Sequence, residues 1–217
     1  MLDLLLPQRC VVCLRGGVQL CGDCLERLPR ISPPLCDRCG APTAWSVRRC
    51  RECSGRRLAF ASARAAVRYD DAARAFVGAW KERGLRRLAA VAAELVAEVV
   101  ERPAAPVTFV PADPDRGLKR GHHPAERLAR ELGARWQLPV QPLLARPSAQ
   151  RRQRGLSLAE RRQNVRGAFV AKRPVPGAVT LVDDVYTSGA TANAAASALR
   201  KAGARRVEVV SFARAVR

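Results

Sequence analysis

Beyond residue 57 the chain alternates short apolar runs with longer stretches whose apolar residues recur at helical spacing. Residues 58–67 read as a first strand, and 70–81 and 85–101 as helices with Ala-rich faces, the second closed by Pro103 and Pro106. Val107, Thr108, Phe109 and Val110 make a short apolar strand that stops at Pro111. A helix over 125–136, a strand candidate over 140–144 and a turn at 174–177 follow. Residues 179–182 read as a buried strand, 190–202 as a helix stopped by Gly203, and 207–212 as a last strand. Strands alternating with helices predict an α/β domain over residues 58–217, built on a parallel sheet covered on both faces.

Residues 1–57 have a different organisation. Cys10, Cys13, Cys21, Cys24, Cys36, Cys39, Cys50 and Cys53 fall into four C-x-x-C pairs, and the rest of the chain has no cysteine. Each pair sets two thiolates on one tight turn, and two pairs complete a tetrahedral site for Zn²⁺. A disulfide framework suits a secreted chain, and no secretion signal is visible: residues 1–6 are apolar but too short and lack a basic start. Two structural zinc ions are therefore expected, with a small double zinc ribbon folded around them. Sequential pairing of the motifs is simplest; interleaved pairing stays open.

The chemistry outside the cysteines concentrates at one junction. The strand 179–182 runs into Asp183 and Asp184, then Thr187, Ser188, Gly189, Ala190 and Thr191, then the Ala-rich helix. Ligands of open α/β sheets sit at the carboxyl ends of strands. A helix N-terminus offers free N–H groups and partial positive charge to a phosphate. Glycine allows close backbone approach, and the hydroxyls add donors. Adjacent carboxylates can accept from ribose hydroxyls, directly or through Mg²⁺. Simple helix capping explains the hydroxyls but not two acids at the tip of an apolar strand, whose repulsion is costly unless something cationic is bound.

Charge changes the picture only partly. The formal net charge is +20, carried almost wholly by Arg, with Lys only at Lys81, Lys119, Lys172 and Lys201. A polyanionic partner such as nucleic acid is one reading, and Arg- and Ala-rich coding bias is the other. Arg116, Lys119 and Arg120 follow the strand at 107–110 and suit a pyrophosphate cradle. Arg146, Arg151, Arg152 and Arg154 form either a basic hood over the site or a track for single-stranded nucleic acid. His122 and His123, before Pro124, read as exposed loop residues. The longest apolar stretch, 88–100, is interrupted by Glu94 and Glu98, so no membrane insertion is expected and the location reads as cytoplasmic.

The run from Val179 to Thr191 resembles the phosphoribosyl pyrophosphate signature of type I phosphoribosyltransferases. That resemblance implies a Rossmann-like domain in which Asp183 and Asp184 carry the catalytic site and bind ribose hydroxyls, residues 187–191 wrap the 5′-phosphate, and Mg²⁺ accompanies the ligand. Together with the double zinc ribbon and the stretch from Gly155 to Phe169, the chain resembles the ComF family of competence-type proteins and their gluconate-locus relative. Tyr69 and Lys81 also sit where that family tends to carry a Tyr and a Lys. An Arg-Gly-Phe-Asn-Gln-like stretch of the family reads Arg120-Gly121-His122-His123-Pro124 here, so only its first two positions match. The resemblance implies a role in DNA uptake, handling single-stranded DNA beside a helicase-like partner. The alternative is a metabolic phosphoribosyltransferase that passes ribosyl phosphate to a nitrogen acceptor without a DNA role.

Overall fold

The computed structural model describes residues 8–113, 122–147 and 168–216. Its elements run α1 (Gly22–Glu26), β1 (Ser62–Arg68), α2 (Asp71–Lys81), α3 (Leu88–Val99), β2 (Val107–Phe109), α4 (Pro124–Trp136), β3 (Leu144–Ala145), β4 (Val170–Ala171), β5 (Ala178–Tyr186), α5 (Ala190–Lys201) and β6 (Arg206–Arg214). Four strands form one parallel sheet in the order β1-β6-β5-β2. Parallel strands need crossover helices, which cover both faces and make the central strands apolar throughout. Accordingly β5 and β6 are buried along most of their length.

One face packs against α2, α3 and α4 through Phe76, Trp80, Leu88, Leu95, Leu128 and Leu132. The other face packs against α5 through Ala192, Ala195, Ala196 and Leu199. Asp70 caps α2 by accepting from the Ala73 amide. Spacing of i, i+4 puts Phe76 and Trp80 on one side of α2, where both meet Phe212 of β6 at centroid distances of 4.6 and 6.3 Å. Truncating such a buried ring costs about 3–5 kcal/mol, so this contact fixes where the end of α2 lies.

Several expected boundaries move; the first strand spans Ser62–Arg68 instead of 58–67 and the last Arg206–Arg214 instead of 207–212. The central strand continues through Asp183 and Asp184 to Tyr186, because β6 runs beside it as far as Arg214 and the ladder holds the acids within the sheet. The candidate strand at 140–144 reduces to a single parallel bridge from Val140 to Val107, followed by β3 pairing antiparallel with β4. The second helix begins at Leu88 instead of 85, since Gly84 turns the chain at φ +70° and residues 85–87 form only a tight turn.

The two cysteine knuckles clasp the β1 edge. Val11 and Leu28 of the first join the core on the α2 face; Cys36, Cys39, Ala41 and Cys53 of the second join the core on the α5 face. The segment between them lies along β1: Ile31 donates to Ala66 and Arg68 donates to Pro29, each at 2.8 Å. An edge strand that would otherwise expose unpaired backbone is thereby covered.

The tightest link is Arg214, at the end of β6 and only 2% exposed. Its guanidinium donates to the Cys39 carbonyl and to Glu52 Oε2, both at 2.7 Å, and approaches Cys39 Sγ at 3.7 Å. Replacing Arg214 by Met strands Glu52 and a buried carbonyl, which costs about 2–4 kcal/mol. The expected outcome is a Tm lower by several degrees, with chelator stripping the second knuckle's metal faster than the first. Calorimetry and timed metal release check both.

Candidate functional site

Eight thiols group as the sequential pairing requires. Cys10, Cys13, Cys21 and Cys24 bring their sulfurs within 4.8 Å of one another, as do Cys36, Cys39, Cys50 and Cys53. A tetrahedral ion with Zn–S bonds of about 2.3 Å sets its sulfurs roughly 3.8 Å apart. Here Cys13 and Cys21 are separated by 3.7 Å, Cys36 and Cys53 by 3.6 Å, and Cys50 and Cys53 by 4.0 Å. These spacings fit zinc and are far too long for disulfides, and all eight cysteines are free thiols. Backbone amides already point inward: Cys50 N–H donates to Cys36 Sγ at 3.3 Å, which favours a thiolate there. Four thiolates close the coordination shell, so both knuckles are structural.

The second site lies where β5 ends. Asp183 and Asp184 are each only 9% exposed. The Asp184 amide donates to Asp183 Oδ1 at 3.0 Å, which fixes the Asp183 carboxyl against the backbone. Burial first, and the neighbouring Asp184 charge second, push the Asp183 carboxyl up to about 7, while Lys81 pulls in the opposite sense. Lys81 is the cation that this pair requires. Its Nζ lies 2.7 Å from Asp184 Oδ2, carried there by the last turn of α2 beneath the Phe76–Trp80–Phe212 contact. The repulsion, expected above to call for a bound cation, is relieved here by a side chain of the protein itself.

Side-chain alternation breaks at this point. Val179 and Leu181 face the α5 side and Val182 the α2 side, but Val185 packs on the α2 side and Tyr186 on the α5 side. Strict period-two alternation would put Tyr186 with Val182. The strand thus changes face across Asp183 and Asp184, and β6 makes the same change, with Val210, Phe212 and Ala213 all on the α2 side. Tyr186 consequently turns under the loop that follows.

That loop is open. Thr187 and Thr191 are exposed, Ser188 and Ala190 are half-buried, and Gly189 is buried beneath them. Gly189 sits at φ +71°, and a Cβ there would overlap the Tyr186 phenol. Glycine is required on both counts. Gly189 is also the N-cap of α5 and brings no side chain, so the helix start is not closed by a capping side chain. Ser188 Oγ accepts weakly from Ala190 N–H at 3.3 Å, the nearest approach to the simple capping alternative. The Tyr186 ring rests 4.6 Å from the Arg214 guanidinium, and its hydroxyl is buried. A continuous stack therefore runs from Cys39 through Arg214 and Tyr186 to Gly189. Nothing in the sequence marks Arg214, which reads as a charged tail after an apolar strand.

Of the other residues singled out above, Arg116, Lys119 and Arg120 lie outside the described residues, as do Arg151, Arg152 and Arg154. Arg146 lies over the Phe169 ring at 5.5 Å and 3.9 Å from Asp113, on the side where β2 ends. His122 is not simply exposed: its Nε2 meets the Trp80 carbonyl at 2.8 Å, beside Lys81. Among the described residues, the only two groups of His, Cys, Asp or Glu placed to share a metal ion are the Cys₄ clusters, and no helix is long and apolar enough to cross a membrane.

Residues 1–54 match the double zinc ribbon domain family. Across 226 aligned residues, covering 95% of this chain and 97% of the relative, the protein is 29% identical to Competence protein F of Haemophilus influenzae. It is 28% identical over 199 residues to Competence protein ComFC of Streptococcus pneumoniae, covering 90% of this chain and 87% of that one. With two Cys₄ knuckles clasping a parallel α/β sheet and similarity running along nearly the whole chain, the protein is ComF-like, as its motifs imply.

Proposed function

We propose that the protein binds phosphoribosyl pyrophosphate, with Mg²⁺ arriving on the ligand, and acts in DNA uptake through the handling of single-stranded DNA. The observation that supports the ligand is the buried Asp183–Asp184 pair beside an open, glycine-floored loop at a helix N-terminus. Asp183 and Asp184 would accept from the ribose 2′- and 3′-hydroxyls. The α5 amides and the hydroxyls of Thr187, Ser188 and Thr191 would take the 5′-phosphate. Mg²⁺ would neutralise the diphosphate, and Arg116, Lys119 and Arg120 would cradle it. Lys81 holds Asp184 and would share that carboxylate with the sugar. Support for the competence role comes from the two relatives, and a helicase-like partner would supply the motor.

Turnover, if coupled to binding, would break the anomeric C–O bond with pyrophosphate leaving and a nitrogen nucleophile adding. The chain's contribution is to hold the sugar and offset the departing charge.

Calorimetric titration with phosphoribosyl pyrophosphate and Mg²⁺ tests the assignment. Binding by the parent and loss of at least tenfold in affinity in Asp183→Asn/Asp184→Asn is the expected result; undiminished binding would remove the acids from the site.

A buried acid kept for binding should cost stability. Folding raises the Asp183 carboxyl toward about 7, so the folded form favours the proton. Its stability is greatest at low pH and falls as pH rises from the unfolded carboxyl range to about 7. Asp183→Asn should therefore melt close to the parent near pH 4, and about 2–4 °C or more higher at pH 8, while losing ligand. Lys81→Met should melt lower at pH 8, since it leaves both acids unneutralised. Thermal melts across pH 4–8 check the signs.

A further inference from the structure

The second knuckle carries a surface that neither its metal nor the Asp183–Asp184 site uses. Trp45 is 71% exposed, against 0% for Trp80 and 5% for Trp136. Leaving an indole in water forfeits its burial, and nothing in the knuckle's fold requires it: residues 43–49 are held by their backbone, with Asp37 N–H donating to Val47 and Thr43 Oγ1 to Trp45. The residues that follow Trp45 in the chain, Val47, Arg48 and Arg49, line an open groove with Asp37, Arg38 and Ala61. Arg48, Arg49, Arg51 and Arg57 are exposed on this knuckle, and none of them has a carboxylate partner among the described residues. Of the acids there, Glu52 is already held by Arg214, leaving Asp37. Arg49 reaches back to the Arg56 carbonyl at 3.0 Å and Arg38 to the Leu58 carbonyl at 2.7 Å, so two of the guanidinium groups are fixed on the backbone. Ala59 N–H donates to Asn193 Oδ1 at 2.6 Å, which ties the segment after the second knuckle to the first turn of α5.

We propose that this face of the second knuckle, with Trp45 as a stacking platform and Arg38, Arg48 and Arg49 as phosphate contacts, is the docking surface for single-stranded DNA. The proposal rests on the DNA-handling reading above and gives it a place. An indole standing clear of its own fold offers a flat π face, and the arginines that line the groove suit a phosphate chain; together they are the means by which single strands are held without sequence preference. A duplex keeps its bases stacked internally and can use only the arginines. The overall charge of +20 draws the polyanion in but does not choose a surface; the free indole does.

A fluorescein-labelled 20-mer of thymidylate, titrated by anisotropy at several salt concentrations, tests this on the full zinc-loaded chain. The other two tryptophans are buried, so quenching of intrinsic emission by unlabelled oligomer reports Trp45. The expected results are quenching in the parent, roughly tenfold weaker binding in Trp45→Ala, near-parent affinity in Trp45→Phe, and a salt slope reduced by about 1–2 in Arg48→Ala/Arg49→Ala. Each variant should keep two zinc ions and its phosphoribosyl pyrophosphate affinity. Parent-like DNA affinity in Trp45→Ala and in the double Arg variant would overturn this surface while leaving DNA handling standing. No DNA binding by the parent would remove the DNA reading itself. Equal affinity for a duplex of the same length, or arginine-dependent binding without quenching, would overturn the stacking role.

Discussion

Two consecutive acids buried at the end of a parallel strand are an expensive arrangement. Asp183 and Asp184 lie in a central strand whose neighbours leave little room for water. Their repulsion is relieved by one internal ammonium, Lys81, and that group is delivered by a helix locked down by three aromatic rings. With one cation for two buried acids, the Asp183 carboxyl stays raised to about 7. The same strand then changes face, which swings Tyr186 under Gly189 and sets the height of the loop above it.

The zinc ribbon is part of this support and not a detached appendage. Its knuckles sit on opposite faces of the β1 edge, and the linker between them hydrogen-bonds to β1 itself. Through Arg214 the second knuckle touches the strand next to the acids and, through the Tyr186 ring, the floor of the loop. A metal held by Cys36, Cys39, Cys50 and Cys53 would therefore brace, through Arg214 and Tyr186, a loop far from it in sequence. That arrangement accounts for a structural metal in a chain with an ample core of its own: the ion shapes the surroundings of the site and takes no part in its chemistry.

Much of this could be read from the residues alone, for reasons that differ by region. The cysteine pairs were legible because metal ligation demands fixed spacing, although only the structure chooses sequential pairing. Helices such as α2 and α4 stood out because their apolar faces repeat at helical period, and α2 adds an Asp cap. The β5 strand appeared too short, since two acids look like the end of a buried strand until β6 is seen continuing beside them. Lys81 was visible as a family position, but its pairing with Asp184 joins residues about a hundred positions apart and depends on packing. Arg214 carried no signal: a terminal Arg looks solvated unless something distant, here Cys39 and Glu52, folds over it.

The most direct measurement is a crystal structure of the zinc-loaded chain grown with ribose 5-phosphate. The account predicts density for the sugar hydroxyls against Asp183 and Asp184, and for the phosphate within hydrogen-bonding distance of the loop amides and of Thr187 or Thr191. A sugar phosphate bound elsewhere, with the Lys81–Asp184 pair and the loop untouched, would contradict it.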